Sequence, residues 1–117
     1  MTYLIQGVFF YGVSTKGFEG TVMRSMFSGV IETNQEGILA GKMKDEFGES
    51  RLSDISIDGD RFTFTKIYHG HNNAPISYEF LKGANGIWCG KFDGEKSGTG
   101  QANCILTAVP DNFLKLS

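Results

Sequence analysis

The sequence predicts an all-β protein: a single domain, residues 1–117, folded as an antiparallel up-and-down barrel of about eight strands. Glycine supplies 16 of the 117 residues and proline only two, and glycine at that density weakens helices. Ten phenylalanines, four tyrosines and one tryptophan suit pleated, half-buried strands. Turn-forming clusters also recur about every twelve residues, a spacing typical of meanders, sandwiches and barrels. We therefore expect at most one or two short helices.

The turn clusters divide the chain into eight strand-like runs. The clusters are STKG, NQEG, DEFGE, DGD, HGHNNAP, GANG and DGEKSG. The runs that they separate are 3–12, 18–33, 36–44, 50–57, 61–69, 76–82, 86–93 and 100–109. Because each turn is short, successive strands should be antiparallel neighbours. A meander of eight strands can place its first strand beside its last, which removes both sheet edges. An open two-layer sandwich is the alternative.

Two segments need separate treatment. In TVMRSMFSGVI, pairs of apolar residues recur with helical spacing, so a short helix is an alternative there. Gly20, Gly29 and the β-branched residues favour a long, bulged strand instead. At the end of the chain, we expect Pro110 to end the eighth strand and PDNFLKLS to form a helical turn.

Alternation assigns faces to two strands. In RFTFTKIYH one face is aromatic but includes Lys66, and we assign it to the interior. In ISYEFLK the same rule turns Tyr78 inward and leaves Glu79 as a solvated outer residue. Folding about the GANG turn places Phe80 beside Cys89 and Leu81 beside Trp88, although a one-residue slip would reverse the faces.

The strand motifs resemble those of calycin-type barrels, the avidin-like and lipocalin-like families. The resemblance is carried by the glycine-led hairpins, F-x-K-x-Y at Phe64–Tyr68, I-x-Y at Ile76–Tyr78 and W-x-G-x-F at Trp88–Phe92. It spans most of residues 18–109. It implies a barrel that binds small molecules. The sequence has no set of polar residues that matches the biotin contacts of avidins, and no Gly-x-Trp motif near the first strand as in lipocalins.

Charge and composition exclude several classes of function. The formal net charge is −2, whereas nucleic-acid-binding proteins usually carry a basic stripe. No apolar run approaches the ~18 residues of a membrane span, so we expect neither a nucleic-acid nor a membrane partner. The expected location is the cytoplasm, because two cysteines are too few for a secreted disulfide scaffold.

The chemically active residue types suggest no catalytic site, metal site or cofactor. His69 and His71 stand in a predicted loop without further ligands. We expect Cys89 and Cys104 to face each other as buried free thiols, with a disulfide as the alternative. Asp45 clusters with Glu46 and Glu49 in a turn and is interpreted as a solvated loop residue.

Three functions remain open. The first is a non-catalytic barrel that binds a small, partly apolar ligand at one mouth. Its expected ligand-binding residues are Phe64, Lys66, Tyr68, Tyr78, Trp88 and Phe92. The second is a structural or protein-interaction module with a filled barrel, which could form a homodimer through outer residues such as Leu81 and Ile67. A small cyclase or isomerase is the third.

Lys66 separates these possibilities. An ammonium on an aromatic strand face is costly to bury without a partner. Lys66 could meet an anionic or carbonyl-bearing ligand near a mouth, with Tyr68 and Trp88 as walls. Alternatively, it could pair internally with Glu79 or Asp54 and serve only the fold.

Overall fold

The protein is a closed barrel of eight antiparallel strands in meander order, seen in a computed structural model that describes residues 1–13, 21–70, 74–95 and 98–110. The strands are β1 (Thr2–Val13), β2 (Thr21–Thr33), β3 (Leu39–Asp45), β4 (Gly48–Asp58), β5 (Arg61–Tyr68), β6 (Ile76–Lys82), β7 (Trp88–Gly94) and β8 (Gly98–Val109). Each strand pairs with the next, and β1 also pairs with β8. The predicted up-and-down barrel is confirmed.

Helices are absent from the part of the chain that the structure describes. The segment with helical spacing, Thr21–Thr33, is therefore a strand, but the predicted bulge in it is wrong. It pairs in unbroken register with both neighbours. The helical spacing arises because Val22 and Met26 are apolar although they face outward. Within the described residues, no helix is long and apolar enough to span a membrane.

A bulge does occur in β4, where the pairing with β5 shifts between Ser53 and Ser56. Asp54 lies inside it with a φ of 50°, a conformation that aspartate tolerates better than most residues. The extra residue reverses the alternation of the strand. Leu52 faces inward before the bulge, and Ile55 and Ile57 pack against the core after it.

Two hairpins differ by one residue from their predicted register. Phe80 pairs with Gly90 and Leu81 with Cys89. The reason is that three residues lie between Gly83 and Ile87, which are hydrogen-bonded to each other, with Gly86 at a φ of 82°. Cys104 likewise pairs with Trp88, and Cys89 with Asn103. The predicted facing of the two cysteines is therefore wrong: Cys104 is buried and Cys89 is exposed.

Aromatic side chains of β5, β6 and β7 pack against one another in the described interior. The end of the barrel that carries the Gly59–Asp60 turn is called the lower end here, and the end with the Glu46–Phe47 turn is the upper end.

As predicted, Pro110 follows the last residue of β8. The expected helical turn after it lies outside the described residues.

Candidate functional site

Lys66 is the most unusual residue of the interior, because it is a charged side chain with only 1% of its surface exposed. It lies toward the upper end of β5, two residues from the last residue of the strand. Alternation turns it inward with Phe62, Phe64 and Tyr68, all of which are buried. The predicted inward face of this strand is thus observed, with the lysine among the rings.

The partner of Lys66 is Asp45. Lys66 Nζ lies 3.1 Å from Asp45 Oδ2 and donates to the Tyr68 hydroxyl oxygen at 2.9 Å. The Tyr68 hydroxyl in turn donates to Asp45 Oδ2 at 2.7 Å. These three groups form a closed triangle, which we call the Lys66 cluster. Its lysine and aspartate side chains are 1% and 0% exposed.

Asp45 reaches the cluster from across an intervening strand. It is the last residue of β3, and its neighbour on β4 is Gly48, which has no side chain to block the path to β5. Its other oxygen, Oδ1, accepts the backbone N–H of Phe47 at 2.8 Å, a local bond typical of aspartate in turns. The interpretation of Asp45 as a solvated loop residue is therefore wrong.

The partners expected for Lys66 from the sequence are also wrong. Glu79 lies on the outer face, as predicted, and Arg61 Nη2 is 2.6 Å from its Oε2. That hydrogen bond and the arginine charge lower the pKa of Glu79. Asp54 is exposed at the bulge in β4. Neither carboxylate takes part in the buried cluster.

Burial controls the electrostatics of the site. Loss of solvation lowers the pKa of Lys66, and the Asp45 carboxylate acts in the opposite direction. Burial also raises the pKa of Tyr68, with the hydrogen bond to Asp45 adding to the effect. Burial raises the pKa of Tyr78 as well. Both phenols therefore hold their protons at neutral pH.

Aromatic rings surround the ammonium. Lys66 Nζ lies 4.5 Å from the ring centre of Tyr68, 4.8 Å from that of Phe9 and 5.1 Å from that of Tyr78, within the range of cation–π attraction. An ammonium has three N–H groups. Among the described residues, two oxygens lie within hydrogen-bonding distance of Nζ. Around the rest of the ammonium, the described residues supply aromatic rings.

The upper rim above this cluster is also aromatic. Phe47 packs against Phe9 and Tyr11, with ring centres 6.2 and 5.8 Å apart. The Tyr11 hydroxyl donates to Glu46 Oε1 at 3.2 Å. Phe47 nevertheless remains 43% exposed. It is a turn residue that covers the Phe9 ring from the solvent side.

The structure brings together five of the six residues expected from the sequence. Phe64 stacks on Tyr78 at 4.8 Å, and Tyr78 stacks on Phe92 at 5.5 Å. Lys66 and Tyr68 complete this group. Trp88 is separate, because it begins β7 at the lower end and packs against Phe62, with ring centres 5.8 Å apart. It is not a wall for Lys66.

The sequence interpretation missed Asp45, Phe9, Phe47 and Tyr11. One usable signal was the need of an inward-facing lysine for a carboxylate. Another was the alternation of β3, which turns Met43 and Asp45 to the same side. Phe9 had no such signal, because its neighbours Val8 and Phe10 are also apolar although they face outward.

The described residues contain no group of three side chains suited to hold a metal ion. His69 is exposed, and His71 lies outside the described residues. Comparison with protein-family models, curated proteins and solved structures finds no match. The likeness to calycin-type proteins therefore extends as far as the closed eight-stranded barrel.

Proposed function

We propose that the protein is a non-catalytic binding barrel, which takes a small, partly apolar ligand at its upper end. The observation that carries this proposal is the buried Lys66 ammonium. Among the described residues, three aromatic rings surround it and two oxygens accept from its three N–H groups. Burying an ion pair contributes little net stability compared with apolar packing. Such a group is more useful as a prepared hydrogen-bond donor for a ligand.

The cluster favours a neutral acceptor over an anion. The Asp45 carboxylate already neutralises the Lys66 ammonium, with Oδ2 at 3.1 Å from Nζ. An anionic ligand would therefore place a second negative charge beside one ammonium. A carbonyl oxygen can accept the third N–H while the ion pair stays intact. The ligand that fits best is a small, neutral molecule with a carbonyl group on a planar apolar body, which can stack on Phe9 or Tyr78.

Entry requires a movement at the rim, because buried side chains pack the interior. Among the described residues, Phe47 is the side chain best placed to move, since it is exposed and packs against Phe9. Its backbone N–H is held by Asp45, which keeps the turn close to the cluster. Displacement of the Phe47 ring would open a path toward Phe9 and then Lys66.

The two phenols of the site suit binding better than acid–base catalysis. A general acid or base works best with a pKa near the working pH. Tyr68 and Tyr78 have pKa values raised far above that range by burial. The cluster therefore positions donors without offering a phenol that readily exchanges its proton.

Native mass spectrometry of the protein purified from its own host tests this proposal. We expect one small molecule bound to the wild-type chain and to Lys82→Met, a matched control in which an exposed lysine at the lower end is removed. The variant Lys66→Met/Asp45→Asn removes both charges of the cluster and should carry nothing. A wild-type chain of bare mass, or a double variant that retains the molecule, would contradict the proposal.

A further inference from the structure

The outer face formed by β1 and β2 is unusually apolar. Val22 and Met26 are 67% and 69% exposed, and Ile105 on the adjacent β8 is 53% exposed. Leu4, Val8 and Phe10 alternate with the buried residues of β1 and are half-buried on the same outer side. Contiguous apolar surface of this kind marks an interaction site.

Between Arg24 and Glu32, the outward residues of β2 are ordered symmetrically. Their sequence along the strand is Arg24, Met26, Ser28, Val30 and Glu32. Ser28 is the midpoint, an apolar residue stands two positions away on each side, and opposite charges stand four positions away. Arg24 and Glu32 are both exposed, and among the described residues neither has an ion-pair partner within 4.0 Å.

The adjacent strand shares the same midpoint. Gln6 of β1 lies beside Ser28 in the register, and Leu4 and Val8 lie two positions away on either side. Consider a two-fold axis that passes through this midpoint, in the plane of the interface and perpendicular to the strands. Rotation about it would place Leu4 against Val8 of a second copy. The same rotation would place Met26 against Val30 and Arg24 against Glu32. Lys44 of β3 lies beside Ser28 in the register, on the side of β2 away from β1.

We propose that this face binds a second copy of the chain in a two-fold dimer, with the two β2 strands antiparallel across the interface. A two-fold contact needs a surface that is complementary to itself. The β2 row meets that need in both its charges and its apolar positions. The partner is thus a second copy, since Arg24 and Glu32 of each copy would face Glu32 and Arg24 of the other.

Charge reversal with analytical ultracentrifugation tests the dimer. Wild type should be dimeric at about 100 μM, a concentration at which an interface of standard size is populated. Arg24→Glu and Glu32→Arg should each weaken self-association at least about tenfold, because each creates two like-charge contacts. An equimolar mixture of the two variants should recover a heterodimer, since opposite charges face each other again at both ends.

Arg51→Glu is the matched control, because it reverses an exposed charge on the outer face of β4, away from the proposed interface. It should sediment as wild type does. Circular dichroism checks that every variant remains folded. A monomeric wild type, unchanged dimers in the single variants, an equal loss in Arg51→Glu, or a mixture that stays monomeric would each overturn the proposal.

Discussion

Replacing Lys66 with methionine should destabilise the protein strongly, because it leaves the Asp45 carboxylate buried without its counter-charge. The side chain of Asp45 is 0% exposed, and it keeps the hydrogen bonds from the Tyr68 hydroxyl and the Phe47 N–H. Breaking a buried ion pair costs about 3–5 kcal/mol. The remaining hydrogen bonds place the expected loss of unfolding free energy at about 3–4 kcal/mol at pH 7.

Urea unfolding at pH 7 measures this loss, with Trp88 as the single, buried tryptophan reporter. Adding Asp45→Asn to Lys66→Met should restore most of the lost stability, because it removes the uncompensated charge. Lys82→Met, in which the lost lysine is exposed, should stay close to wild type. The reasoning fails if Lys66→Met is as stable as wild type at pH 7, or if the double variant is as unstable as the single one.

Three further predictions concern the turn at Gly59 and the two cysteines. Gly59 has a φ of 60°, so Gly59→Val should lower the unfolding free energy measured in urea by about 1–2 kcal/mol. In the control Gly12→Ala the added carbon meets nothing within 4 Å, so the loss of unfolding free energy should be smaller. Equal losses in the two variants would refute this prediction. A thiol reagent should label the exposed Cys89 rapidly and the buried Cys104 only after denaturation; rapid labelling of both in the native protein would be incompatible with the structure. Burial raises the pKa of Cys104 from 9.0 to about 12, so its contribution to stability is complete below pH 9 and is lost as pH rises. Between pH 9 and pH 10 the unfolding free energy should fall by up to about 1.4 kcal/mol, and Cys104→Ala should flatten that slope; an unchanged slope would rule out Cys104 as its source.

The strands could be predicted from the sequence because their limits are set locally. Turn residues interrupt the chain at regular intervals, and the alternation in β5 and β6 identifies their inward faces directly. It was harder to predict which residues of the next strand face inward across a hairpin, because one additional residue in the loop reverses the two faces. The Gly83–Ile87 loop has an odd number of residues between its paired ends, and nothing local distinguishes it from a loop that is one residue shorter.

The candidate site could be predicted only in part, because its key pair is non-local. Lys66 stands out on an aromatic strand face. Asp45, by contrast, stands in the acidic cluster DEFGE, which has the composition of an exposed turn. Its burial depends on the approach of β3 to β5 past Gly48, a consequence of barrel closure. Local pattern could therefore identify the lysine but not the carboxylate that neutralises it.

The most direct test of the ligand site is a set of thermal melts with the small-molecule fraction that is released when the host-purified wild-type protein is denatured. At saturation, this fraction should raise the Tm of refolded wild type and of Lys82→Met by about 5 °C or more. It should leave the Tm of Lys66→Met/Asp45→Asn unchanged, since that variant lacks the ammonium donor. An equal rise in the double variant, or no rise in wild type, would contradict the assignment of the Lys66 cluster as the ligand site.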